Sequence, residues 1–498
     1  MIRSVAIVGA GSAGLIAALA LQRRFPTLPV TVIRSADIGV IGVGEGTTQQ
    51  FPRVLFSALG VDAARFYAET QPQWKLGLKF LWGPRAEFYY SFSDAHDFRV
   101  SGLPRNNGFY ETEGQPLDLW TALMEAGRVL PSAIDGGPVF FGHQHLGFHI
   151  ENVRLVGFLE ALCRERGVLF RDATVEGIEI ADGDISALRV AGGEKITADF
   201  FVDASGFRSE LLGRAFGEPF TSYSDALFCD RAVIGGWDRN REPILPYTTC
   251  ETMDAGWCWQ IEHERFINRG YVYSSAHLDD EDARSEFLRK NLAVPADRTR
   301  IVKFRSGRYR RMWVGNAVAV GNASGFVEPL EATALGVILS QAVTLADCLE
   351  DSELHPTTTV RDIYNRTICG VWDDVRDFLS VHYRFNTRLD TPFWHHCREH
   401  VALGGAAAIV DFYRENGPSS LAKNILIGSG NPIGWEGYLA LLAGQDVPHE
   451  RPHTPSSTER AIWEIRVAEC RAVAAQGFTP ERLAALIRAP GWDWSQAR

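Results

Sequence analysis

The opening of the chain constrains its fold more than any other stretch. Gly9-Ala10-Gly11-Ser12-Ala13-Gly14 follows a strand-like run from Ser4 to Val8 and opens a helix-like run from about Ala13 to Arg24. A β-branched run from Pro29 to Ile33 completes a βαβ unit. In that setting the glycines form a dinucleotide-binding fingerprint: one makes the turn, one lets the backbone approach a pyrophosphate, and one packs helix on strand, leaving helix N–H groups for the anion. The acid that usually follows about 20 residues on, to hold a ribose hydroxyl, is replaced by Arg34 in Val32-Ile33-Arg34-Ser35. A basic residue there suits a 2′-phosphate, so this motif alone leaves NADP and FAD both open, with Gly9, Gly11, Ser12, Ala13, Gly14 and Arg34 as the expected contacts.

Two further stretches extend this core. Gly167 to Gly206 reads as short alternating runs with turns at Asp182-Gly183-Asp184 and Gly192-Gly193, an antiparallel meander ending in a buried strand and the glycine turn Asp203-Ala204-Ser205-Gly206. A strand, a glycine turn at Gly321-Asn322-Ala323-Ser324-Gly325 and a long helix occupy 317 to 349. The expected fold is therefore α/β, with a discontinuous Rossmann-like dinucleotide-binding core, which the flavin motifs below make an FAD-binding core. Its nucleotide-binding parts are about 1–50, 150–210 and 310–349, inside a first domain of 1–349. Residues 350–498 read as a mainly helical module that covers the substrate side.

Composition narrows the class. The 498 residues are 46% hydrophobic and 22% charged, close to the globular average and unlike disordered or fibrous chains. A net charge of -11 with no basic run argues against nucleic acid as a partner. Eight cysteines without a C-x-x-C pair give neither a disulfide framework nor a zinc site. No signal-peptide pattern opens the chain and no apolar run reaches the roughly 18 residues of a membrane span, so the expectation is a cytoplasmic protein without a membrane partner. His395-His396-Cys397 with His400 has metal-pair spacing at i and i+4, but no matching acid follows, and no metal is expected.

Further motifs favour the flavin. Gly42-Val43-Gly44-Glu45-Gly46-Thr47-Thr48 suits close backbone approach to a flat ligand, making Gly44, Glu45, Gly46 and Thr47 candidate contacts. Asp203-Ala204-Ser205-Gly206 and Gly321-Asn322-Ala323 resemble the second and third signatures of the p-hydroxybenzoate-hydroxylase-like FAD superfamily, with Asn322 where Asp is usual. With Trp257-Cys258-Trp259-Gln260-Ile261 and Phe326-Val327-Glu328-Pro329-Leu330-Glu331 added, the chain resembles a flavin-dependent halogenase of the tryptophan-halogenase type. The family pattern W-x-W-x-I-P is met except that Glu262 replaces the proline. On their own, two tryptophans at i and i+2 are equally a same-face packing pair of a strand.

The resemblance implies a mechanism. Reduced FAD and oxygen form a C4a-hydroperoxide, halide attack releases hypohalous acid, and the acid crosses a tunnel bordered by Trp257, Trp259, Phe326 and Pro329 to a separate substrate. Gln73-Trp74-Lys75-Leu76-Gly77-Leu78-Lys79-Phe80 matches the family's K-x-x-x-K-F, which makes Lys75 the residue that handles hypohalous acid, either by hydrogen bonding or as a haloamine, with Lys79 one turn away if the stretch is helical. The alternative is a surface lysine snorkelling beside Trp74. Glu331 matches the family acid beside that lysine, polarising the hypohalous species or stabilising positive charge on the substrate ring; the alternative is an acid favoured by a helix N-terminus. Thr333 and Ala334 inherit the backbone halide site. Ala332 and Ala334 replace the family's serine and glycine, and a methyl at a glycine site changes space and freedom, giving an expected preference for bromide over chloride, or weak activity with any halide. Tyr90, His143 and Trp435 are candidate substrate contacts, with simple packing as their alternative.

The implied substrate is an electron-rich, indole-like aromatic, with a phenol possible. A single dinucleotide fingerprint, taken by FAD, implies a separate NAD(P)H flavin reductase. The rival readings are a flavin-dependent aromatic hydroxylase or reductase on this fold, and an FAD-binding protein that has lost halogenase activity. Oligomeric state is left open by the sequence.

Overall fold

Strand Val5–Val8 organises the cofactor half because both of its faces are buried. Val5 and Ile7 enter one hydrophobic core and Ala6 and Val8 another. It pairs in parallel with Val30–Arg34 on one side and Phe200–Asp203 on the other. The sheet continues to Leu169–Asp172 at one edge and to Ala317–Ala319 and Trp313–Val314 at the other. Strands from three distant parts of the sequence thus share one sheet, as the discontinuous motifs required. The computed structural model describes residues 1–35, 44–93, 96–97, 99–111, 118–129, 146–428, 431–492 and 494.

Helix Ser12–Arg24 lies on this sheet and packs against helices Asn152–Glu165 and Ala334–Asp351. Residues Gly14 to Gln22 are all buried, so the helix is enclosed on every side. The meander is a three-stranded sheet of Val175–Ala181, Asp184–Val190 and Lys195–Ile196. Its first turn places Asp182 at φ 53° and Gly183 at φ 85°, the left-handed pair that a tight hairpin demands.

A second, seven-stranded sheet runs in the order Arg300–Lys303, Arg231–Asp238, Phe266–Tyr273, Gly256–Glu262, Tyr247–Met253, Gly77–Leu81, Phe88–Ser91. A small sheet of Glu45–Gly46, Gly147–Ile150 and Gln73–Lys75 lies beside it. The K-x-x-x-K stretch is therefore two strands rather than a helix. Lys75 pairs with Gly147, and the chain resumes at Gly77, where a Cβ would sit 2.2 Å from the Tyr90 carbonyl oxygen. Only a glycine lets the strands approach there.

From Thr358 onward every described element is a helix, beginning with the 28-residue Thr358–Phe385. Among the described residues no helix is long and apolar enough to cross a membrane.

The glycine fingerprint gives a stability test. A Cβ at Gly14 would lie 2.0 Å from the Gly9 carbonyl oxygen, whereas one at Gly11 meets nothing within 4 Å. Gly14→Ala is expected to cost about 1–3 kcal/mol through overpacking, and Gly11→Ala less than about 1 kcal/mol, by urea denaturation. Equal losses would contradict this packing.

Candidate active site

The cofactor cradle is built by interlocking turns. Gly9 holds φ 115°, and a Cβ there would sit 2.3 Å from the Ala204 carbonyl oxygen, so the first glycine turn lies flat on the Asp203-Ala204-Ser205 turn. Gly321 holds φ 58° and presses on Ala13, where a Cβ would come within 2.6 Å; its N–H donates to Gln341 Oε1 at 2.7 Å. Asn322 is half-buried beside it. Among the described residues, Gly11 has nothing in front of it at the start of helix Ser12–Arg24, and no side chain caps that N-terminus. Unpaired helix N–H groups beside a glycine with room in front of it fit a dinucleotide diphosphate.

Other expected contacts are engaged by neighbouring groups of the chain. Asp203 is fully buried, and its carboxylate accepts from the N–H groups of Ser205, Leu211 and Leu212 and from the Ser205 hydroxyl. Burial raises its pKa, and those donors oppose the rise. Its place is to hold the turn that supports the cradle. Arg34 donates to Asp172 and Glu160, which raise its pKa further. Ser12 Oγ donates to Asn152 Oδ1 at 3.1 Å. Thr47 joins strand Gly147–Ile150, its N–H donating to the Phe148 carbonyl and its Oγ1 accepting from the Phe148 N–H. Glu45, half-buried, is pushed up to about 7 by desolvation. At Gly44 a Cβ would lie 2.1 Å from His263 Nε2. Gly42 and Val43 lie outside the described residues.

The glycine-rich segment runs directly to the lysine. A Cβ on Gly46 would be 3.6 Å from Lys75 Nζ and 3.0 Å from the Ala332 methyl. Lys75 is fully buried, with Nζ 5.2 Å from the centre of the Phe92 ring and no hydrogen-bond partner among the described residues. Desolvation lowers its pKa to about 8, and Glu331 and then Cys250 oppose the fall. The amine is thus poised between charged and neutral near physiological pH. Lys79, by contrast, forms an ion pair with Glu87 at 2.6 Å and lies over Tyr89. His149 is beside Lys75: its Nδ1 accepts from the Glu262 N–H at 3.3 Å, so Nε2 carries the hydrogen, 2.8 Å from Thr248 Oγ1. Burial first, then Lys75, keep this ring neutral.

Glu331 ends the turn Pro329–Glu331, and Ala332 follows in the left-handed region at φ 55°. Its Oε1 is 2.7 Å from His382 Nε2 on helix Thr358–Phe385, and both side chains are buried. Helix Ala334–Asp351 begins two residues later, with Thr333 as its uncapped N-cap. Ala334 does not hold a positive φ, so the helix start needs no glycine. A cleft of about 10 Å³ at this terminus is lined by Thr48, Gln50, Thr333, Gly336 and Pro432 among others.

Trp257 and Trp259 project from one face of Gly256–Glu262 into the main core, ring centres 6.0 Å apart. Trp259 Nε1 donates to Asn268 Oδ1 at 2.8 Å, and its ring fills the space above Gly270. Trp257 faces the buried carboxyl of Glu328, which desolvation pushes up to about 7 and which Tyr383 and Cys229 also border. Glu262, at the family proline position, forms a buried ion pair with Arg239. Its N–H reaches His149, a bond that proline could not make.

The remaining expectations separate. Phe326 is half-buried between Phe207 and Phe304, and Pro329 is exposed; among the described residues no ring contact joins Phe326 to either tryptophan. Tyr90 is buried, its hydroxyl donating to the Ile433 carbonyl at 3.5 Å, and it senses the Glu331 charge. Trp435 is buried with Phe412 edge-on at 5.7 Å. His143 lies outside the described residues. His396 and His400 stack at 4.5 Å while His395 pairs with exposed Asp390. Sequence reading missed His382, His149, Thr248 and Cys250; the one available signal was the polar His382 one turn after Phe378 on a buried helical face.

Burial of Lys75 has a measurable consequence. Its pKa is about 8 when folded against 10.5 ordinarily, so between these values the unfolded chain binds more protons and stability rises with pH. The group's contribution is about 3 kcal/mol over that window, at 1.36 kcal/mol per unit. Lys75→Met is expected to be more stable than the parent near pH 7, with the gap closing as pH approaches about 10 in urea denaturation. A pH-independent gap would contradict a desolvated amine.

Comparison with known proteins agrees with this geometry. The tryptophan halogenase family model matches residues 4–461. Tryptophan 7-halogenase RebH of Lentzea aerocolonigenes is 32% identical over 92% of this chain and 93% of its own. Tryptophan 6-halogenase ThaL of Streptomyces albogriseolus is 32% identical over 84% and 83%. Among solved structures, MibH, a lanthipeptide tryptophan 5-halogenase, superposes with TM-score 0.89 and 38% identity over 98% of this chain and 94% of its own. BrvH, a flavin-dependent halogenase of Brevundimonas sp. BAL3, gives TM-score 0.86 and 27% identity over 98% and 100%. A chain matched along this length, with the glycine cradle, the tryptophan pair and the buried lysine in place, belongs to the tryptophan halogenase family and is an enzyme.

Proposed function

We propose that the protein halogenates an electron-rich aromatic of the indole type, with tryptophan as the first candidate, at a site beside Lys75 that is separate from the flavin. The observation that carries this reading is the fully buried Lys75 ammonium, without a hydrogen-bond partner among the described residues, between Gly46 of the glycine-rich segment and Glu331. A buried donor left unpaired is costly, and an incoming oxidant with an oxygen acceptor relieves that cost.

Reduced FAD, delivered by a separate NAD(P)H flavin reductase, would supply hypohalous acid from oxygen and halide. The chain's own residues do the rest. Gly9, Gly11, Ser12, Ala13, Gly14, Gly321 and Asn322 form the diphosphate cradle, and Gly44 to Thr47 give a flat approach to the ring system. The Thr333 and Ala334 N–H groups at the uncapped helix start hold halide. Trp257 and Trp259 keep the aromatic away from the flavin, which excludes hydroxylation. Lys75 Nζ donates to the hypohalous oxygen and sharpens the electrophile. Glu331, in a water-poor site, stabilises the cation on the ring and accepts its proton. The Ala332 and Ala334 methyls at positions of serine and glycine support a preference for bromide.

A second reading concerns how the indole arrives. The 38% identity to a lanthipeptide tryptophan halogenase, together with Leu421 and Ile425 exposed at 82% and 84% before Ile433, favours tryptophan within a peptide.

The test supplies flavin reductase, bromide or chloride, and either tryptophan or a tryptophan-containing peptide. Expected are brominated product in excess under equal halide, and a loss of at least about 100-fold for Lys75→Ala. Chloride winning would reject the halide preference. Hydroxylated product, or flavin reduced by NADPH without the reductase, would reject halogenation. Equal inertness of the parent and Lys75→Ala toward indoles and phenols would leave a flavin-binding protein.

A further inference from the structure

Geometry alone locates a proton in the Glu331–His382 contact. His382 Nδ1 lies 3.1 Å from the Phe378 carbonyl oxygen. A carbonyl only accepts, so Nδ1 carries hydrogen. His382 Nε2 lies 2.7 Å from Glu331 Oε1. A neutral ring protonated at Nδ1 presents a lone pair at Nε2, and an ionised carboxylate presents only lone pairs. Two lone pairs at that separation repel, so one proton occupies this bond, either on an imidazolium or on a carboxyl group.

Aromatic rings surround the contact. The imidazole is enclosed by Phe80, Phe378 and Trp82, with ring centres 5.4, 5.0 and 6.2 Å away. Its side chain is 0% exposed and that of Glu331 2%. The titratable groups facing Glu331 are Lys75 from strand Gln73–Lys75, Cys250 from Tyr247–Met253 and Tyr90 from Phe88–Ser91. The Phe378 carbonyl occupies the Nδ1 side of the His382 ring.

We propose that His382 is a positioning residue for halogenation: by a shared proton it holds Glu331 Oε1 and leaves Oε2 as the basic atom that removes the substrate's ring proton. This rests on the reading of Lys75 and Glu331 given above. In the step, the halogen–oxygen bond of hypohalous acid breaks as the carbon–halogen bond forms. The departing hydroxide takes a proton from Lys75 and leaves as water. The ring C–H bond then breaks, its electron pair restores aromaticity, and its proton passes to Glu331 Oε2 and on to Lys75. The sum is aryl–H plus hypohalous acid giving aryl–halogen plus water. His382 ends the cycle as it began.

Two measurements test this. Neutron diffraction of the deuterated full chain is expected to show deuterium on His382 Nδ1 and a single deuteron between Nε2 and Glu331 Oε1. In halogenation assays, His382→Gln is expected to lower kcat about 100-fold with KM changed less than about 3-fold, as for loss of proton-transfer catalysis. Made in Glu331→Gln, the same change should cost less than about 3-fold, because the ring acts through that carboxylate. A bare Nδ1, or equal losses in both backgrounds, would overturn the proposal and reduce His382 to packing; if His382→Gln fails to fold, the deuterium map still decides. A parent enzyme that makes no halogenated product overturns the functional reading and His382's role with it, whereas a bare Nδ1 in an active enzyme overturns His382's role alone.

Discussion

An ammonium group taken out of water at position 75 is the constraint on which the rest of the site depends. Desolvation of such a group is expensive unless charge or hydrogen bonds compensate. Here the compensation is partial: Glu331 lies near enough to raise the amine's pKa, the Phe92 ring is 5.2 Å away, and neither gives Nζ a hydrogen bond. The amine therefore keeps an unmet hydrogen-bonding capacity among the described residues. The walls of its site come from separate elements, Gly46 from the cofactor side, Thr248 and Cys250 from the large sheet, and Glu331 from the turn before a long helix. A group built from so many elements is held only if all of them are held.

The cofactor half supplies that rigidity. Gly9 against Ala204, Gly321 against Ala13, and Asp203 with four donors on its carboxylate lock three remote turns together. From this block the chain runs through Gly44 and Gly46 to Lys75 on one side and through Glu328 and Glu331 to Thr333 on the other. Two carboxyl groups three residues apart thus serve different neighbours. Glu328 stands without a charge partner among the described residues, beside Trp257, and Glu331 stands between Lys75 and His382.

Local chemistry was legible in the sequence, and long-range pairing was not. The glycine fingerprint, Lys75, Glu331 and the tryptophan pair could be read because backbone needs or family patterns dictate those residues over a few positions. The fate of Arg34 could not, since its partners Glu160 and Asp172 lie 126 and 138 residues away. His382 is 51 residues from Glu331 and belongs to no motif. The helix considered for Lys75 to Lys79 failed because a four-residue spacing also fits two strands broken at Leu76, and pairing with Gly147 and Tyr90 decided between them. Asp203 was placed in the right turn, but whether a carboxylate faces ligand or backbone depends on donors that only the folded chain brings together.

The most direct test of the account is a crystal structure of the holoenzyme with FAD, tryptophan and bromide. The account predicts the indole ring on the far side of Trp257 and Trp259 from the flavin, its reacting carbon within hydrogen-bond-like reach of Lys75 Nζ and Glu331. An indole stacked directly on the flavin, with Lys75 shut off from both, would contradict it.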